Sequence, residues 1–102
     1  MRVILRGLLA AGLVLVGQVA LAGPIETACM ASSRAGGDRA LCGCVQRVAD
    51  ITLTGADQRL VAKFFADPNK AESVRMQSSA SANAFWDRYM VFGQQAEMAC
   101  KG

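Results

Sequence analysis

Cys29, Cys42, Cys44 and Cys100 are the residues of this chain best equipped for chemistry. They fall in a C-x12-C-x-C-x55-C pattern, and the 102-residue sequence contains no histidine. Four thiolates can bind zinc, but zinc ligands usually come as two close pairs of the C-x-x-C kind, which this spacing lacks. Cys42-Gly43-Cys44 could act as a dithiol, since a disulfide closed between them would form a small, strained and easily reduced ring. Such chemistry needs an exposed thiol of low pKa, and Arg39, Arg47 and a helix N-terminus stand nearby in sequence. Without histidine, serine–histidine and cysteine–histidine catalysis are excluded. "RAGGDR" (34–39) is too short for a phosphate loop and follows a helix rather than a strand. No catalytic residue, cofactor or metal is therefore assigned. The four cysteines read as two structural disulfides.

The compartment follows from the N-terminus. Arg2 and Arg6 precede an apolar stretch from Gly7 to Gly17, and Ala20 and Ala22 place small residues before Gly23. This is the layout of a cleavable secretory signal over residues 1–22, with cleavage before Gly23. The apolar stretch is shorter than a membrane-spanning helix requires. Residues 23–102 then form a single helical domain of 80 residues. Two of the 11 Lys and Arg residues leave with the signal, so nine basic groups face eight acidic ones, a net charge of +1. That balance offers no basic patch for nucleic acid, and no later segment is suited to spanning a membrane. A core this small is marginal, and small exported domains compensate with disulfides.

The elements that must position the cysteines read as helices, giving an all-α bundle of about four. Pro24 suits the first turn of a helix over 24–34, with Ile25, Ala28, Cys29 and Ser32 on one face. Gly36 and Gly37 break the chain. Asp38 caps the next helix, which carries Leu41, Cys44, Val45, Val48, Ile51 and Thr52 as its buried stripe. Arg39, Gln46, Arg47 and Asp50 fall largely outside that stripe. Gly43 costs about 1 kcal/mol in a helix, which a close helix approach or a disulfide would explain. Thr54 and Asp57 form an acidic capping box ahead of Leu60, Val61, Phe64 and Phe65. Asp67-Pro68 ends that helix and starts a short one over 68–76, followed by a small, polar stretch at 77–83 that reads as a loop or a weak helix start. The last helix presents Phe85, Tyr89, Phe92, Ala96 and Ala99, flanked by Trp86 and Met90, as the core of the bundle. Asp87 and Arg88 read as a solvated face.

Within the second helix, Cys42 and Cys44 point about 200° apart, so each must find a different partner. In a hairpin turning at 35–38, Cys29 lies about level with Cys44. That favours Cys29–Cys44 with Cys42–Cys100 over Cys29–Cys42 with Cys44–Cys100, by a margin that side-chain direction alone does not decide. Either way one bridge staples a hairpin and the other ties the last helix back to it. Loop closure contributes about 3 kcal/mol for a loop near fifteen residues and about 4 kcal/mol for one near sixty.

The C-G-C pair, the outer cysteines and the aromatic last helix, over residues 26–100, give the sequence a likeness to known proteins. It resembles a group of short, functionally uncharacterised exported proteins from alphaproteobacteria, some of which bear the label "arginine transporter". The resemblance implies a shared disulfide-bearing helical fold and carries no functional residue across. A chain without a spanning segment after its signal cannot form a transporter alone. The resulting expectation is a periplasmic or secreted, non-enzymatic interaction or accessory module, its partner another envelope protein. The alternatives are a thiol–disulfide protein using Cys42 and Cys44, or a binder of small apolar ligands near Phe64, Phe85, Trp86 and Tyr89.

Overall fold

The computed structural model describes residues 23–32 and 37–101. The expected signal over 1–22, with Ala20 and Ala22 of its cleavage site, lies outside them, and so does Gly36. Five helices and no strand occur among the described residues: α1 (Pro24–Ala31), α2 (Arg39–Thr52), α3 (Gly55–Ala66), α4 (Pro68–Arg75) and α5 (Ala80–Ala99). The fold is all-α, with five helices where about four were expected, α1 and α4 being the shortest at eight residues each.

Local chemistry sets the boundaries. Gly37 takes a φ of 75°, the left-handed turn for which glycine is suited. The Asp38 side chain then accepts from the Leu41 amide at 3.0 Å and opens α2. Thr54 and Asp57 make the reciprocal capping box of α3. Asp67 closes α3 and opens α4, its carboxylate accepting from the Asn69 amide with Pro68 in the first turn. Ser79 caps α5 by accepting from the Ala82 amide, so of the two readings of 77–83 the helix start is the one adopted. α1 ends at Ala31, with Ser32 already extended, short of the expected 34.

α1 packs on both α2 and α3, α2 packs on α5, and α4 bridges α3 to α5. The core runs from Ile25 through Val48, Ala49 and Leu53 to Val61, Phe64, Phe85 and Phe92. α2 is therefore covered on two sides, and its buried stripe differs from the expected one. Cys42, Gln46, Ala49 and Leu53 line the side toward α1 and α3, and all are buried. Gln46, expected outside, is inside, whereas Ile51, expected inside, is 84% exposed. In α5, Ala99 is likewise exposed. A β-carbon placed on Gly43 would meet only the Arg47 guanidinium, at 3.6 Å. Neither a helix approach nor a disulfide crowds that position, and nothing in the fold accounts for glycine there.

Candidate functional site

The four cysteines form two separate bridges. Cys29 bonds Cys42 and Cys44 bonds Cys100, with Cα separations of 5.6 and 5.7 Å. This is the swap of the favoured pairing. α1 and α2 run antiparallel as a hairpin, with Glu26 beside Gln46 and Cys29 beside Cys42 rather than level with Cys44. The helix face decided the partner. Cys42 lies on the side of α2 turned to α1, whereas Cys44, about 200° round the axis, faces α5. Cys42 and Cys44 thus share no bond. Gly23, the remaining cleavage-site residue, is the N-cap of α1.

Beside the first bridge lies a polar cluster that hydropathy does not reveal. Gly23 has no side chain to cap α1, and Gln46 of α2 supplies the cap instead. Its carbonyl accepts from the Glu26 amide at 2.8 Å. Its amide nitrogen donates to Gln58 Oε1 and to Asp50 Oδ1, both at 2.8 Å. Gln58 Nε2 in turn reaches the Ala49 carbonyl at 3.3 Å and Asp50 Oδ1 at 3.2 Å. Gln46 and Gln58 are both buried, and each polar end has a partner, as burial of an amide requires. The cluster fixes the junction of α1, α2 and α3. A β-carbon at Gly23 would stand 2.4 Å from the Gln46 side chain, so the chain passes this point as glycine.

The α3–α5 seam is built differently. Phe64 meets Phe85 and Tyr89 edge-on, while Phe85 stacks on Tyr89 and Tyr89 on Phe92. Arg88 donates to Asp57 through two nitrogens, at 2.6 and 3.0 Å. Arg88 is thus not part of a solvated pair with Asp87. It grips a buried carboxylate that already caps α3. The Arg88 hydrogen bonds hold the Asp57 carboxyl below its ordinary range against the opposing effect of burial, and the Thr54 bonds add to the lowering. The sequence disclosed the capping role of Asp57. Nothing in it linked that residue to Arg88, 31 positions away.

The aromatic rings expected to flank an apolar ligand pack chiefly on one another. The cleft beside Val61, Phe64 and Tyr89 holds about 170 Å³, below the roughly 300 to 1,000 Å³ typical of ligand pockets. Among the described residues no group of three cysteine, aspartate or glutamate side chains is arranged to hold a metal ion. No described helix is long and apolar enough to cross a membrane. On the far side of α5, Val91 and Met98 are 47% and 68% exposed, seven residues apart and opposite the aromatic face.

The site therefore defines a class of architecture: a small all-α fold with two disulfides, of the kind suited to a non-reducing, extracytoplasmic setting. No protein-family model, curated protein or solved structure matches the chain.

Proposed function

We propose that this chain is a small exported cell-envelope protein, periplasmic or secreted, that serves as a non-enzymatic interaction or accessory module. The observation that carries this reading is the use of the cysteines. All four are committed to bridges that join helices, one across α1–α2 and one across α2–α5. Cys42, half of the suspected dithiol, is fully buried. The Cys42–Cys44 pair is thus split between two bridges and forms no dithiol of its own. The exposed Val91 and Met98 leave one face of α5 available to an envelope protein.

The test is an intact mass of the protein taken from the periplasm, alkylated with and without prior reduction, alongside an assay with a scrambled-disulfide substrate. A chain starting at Gly23, lighter by four hydrogens and inert to alkylation until reduced, is expected, with no turnover. A chain retaining Met1 with alkylatable thiols overturns the exported reading, and turnover overturns the non-enzymatic one.

A further inference from the structure

The two bridges differ in what can reach them. Cys29 and Cys42 are 3% and 0% exposed, enclosed where α1 meets α2. Cys44 and Cys100 are only half-buried and both line a cleft of about 420 Å³ between the start of α2 and the end of α5. Cys100 also borders a second cleft, of about 410 Å³, on the Val45 and Gly93 side. Cys100 is therefore bordered by open space on two sides. Exchange between a thiol and a disulfide requires the attacking thiolate to reach a sulfur, so access separates labile bridges from structural ones.

We propose that Cys44–Cys100 is a thiol-exchange site that takes electrons from a dithiol in the same compartment while Cys29–Cys42 stays closed. A thiolate of the dithiol attacks Cys100 Sγ. A new bond forms between the two sulfurs, the Cys44–Cys100 bond breaks, and its electron pair leaves on Cys44, which takes a proton from solvent. The second thiol of the dithiol then attacks its own sulfur in the mixed disulfide and gives up its proton, releasing Cys100 as a thiol. Two electrons and two protons pass to the protein, and the dithiol ends as a disulfide. Cys44 suits the leaving role because Arg47 follows it one turn on along α2. The cleft is lined by one charge of each sign, Lys101 and Asp38, so an incoming thiolate meets no net negative wall. Opening this bridge frees the end of α5 from α2. The helix stays seated by its aromatic packing and by Arg88 on Asp57.

The oxidised chain from Gly23 onward, treated anaerobically with graded dithiothreitol, quenched with iodoacetamide and mapped by peptide mass, tests this. Cys44 and Cys100 should be alkylated about tenfold faster than Cys29 and Cys42, with a doubly labelled, helical species accumulating. Alkylation of all four cysteines in one step, or of Cys29 and Cys42 first, overturns the proposal. Ala40 is an exposed residue of the cleft wall. Ala40→Trp should slow labelling of Cys44 and Cys100 alone, and an unchanged rate would show that the cleft is not the route of attack.

Discussion

The α1–α2–α3 junction and the α3–α5 seam solve one problem in opposite ways. Each must hold helices together in a domain too small for a generous core. The junction does it with aliphatic side chains about Ile25, a buried disulfide, and two glutamines bonded to each other, to Asp50 and to the start of α1. The seam does it with four aromatic rings and one ion pair, and the second disulfide lies outside it, across α2 and the end of α5. Buried amides are costly when a partner is lost, whereas packed rings tolerate loosening at the edge. The junction is accordingly the more brittle region and the seam the more forgiving.

Removing each bridge separates the two effects that disulfides combine. Loop closure ranks Cys44–Cys100 higher, at about 4 kcal/mol against about 3 kcal/mol for Cys29–Cys42. Burial reverses the order. Cys29→Ala with Cys42→Ala empties two enclosed positions, each worth about 1 kcal/mol more, so the expected loss is about 5 kcal/mol. Cys44→Ser with Cys100→Ser leaves half-solvated hydroxyls and should lose about 4 kcal/mol. Urea unfolding of both pairs gives the ranking. If the Cys44–Cys100 bridge costs more, chain entropy alone governs and burial adds no brittleness to the junction.

What the sequence made legible divides along the same line. Signals confined to a few neighbouring residues were readable: the Asp38 cap, the Thr54–Asp57 box, Asp67-Pro68 and the aromatic face of α5. Each depends on spacing within one turn or one helix. The pairing of the cysteines and the burial of Gln46 were not readable in this way, for a common reason. A hydropathy stripe assumes one covered face, but α2 is covered by α1 and α3 on one side and by α5 on the other. With two covered sides, Ile51 at the helix end faces water and a glutamine lies in the core. A glutamine whose polar ends are all satisfied looks the same in sequence as one on the surface. Its one visible trace is position, since Cys42, Gln46, Ala49 and Leu53 recur at helical spacing.

Gln46→Leu sharpens the comparison at the next scale down. The leucine fills the site but leaves the Glu26 amide without its cap and Gln58 Oε1 without its donor. Each buried group left unpaired costs about 1 to 3 kcal/mol, so a loss of about 3 kcal/mol is expected. Hydrogen exchange locates it: protection should fall first at the Glu26 amide and the first turn of α1, with α5 unchanged. A uniform loss across all helices would mean that the two regions unfold as one unit and the contrast between them is only architectural.

The smallest effect is expected at the ion pair of the seam, and pH is the way to see it. The Asp57 carboxyl is held below its unfolded value chiefly by the Arg88 hydrogen bonds. A lowered carboxyl contributes stability that is complete above its unfolded pKa, near 4. That contribution is lost as pH falls from there through the folded value. The Arg88 side chain is 41% exposed, and solvent screens such a pair, so Asp57→Asn should cost only about 1 kcal/mol at neutral pH. The asparagine carbonyl can still accept from the Thr54 amide, which keeps the α3 cap largely in place. The gap in urea midpoint between the parent and Asp57→Asn should therefore hold constant from pH 7 to about pH 5 and close below about pH 4. A gap that persists into acid would mean that Asp57 acts through shape and capping alone, leaving the aromatic rings to hold the seam without electrostatic help.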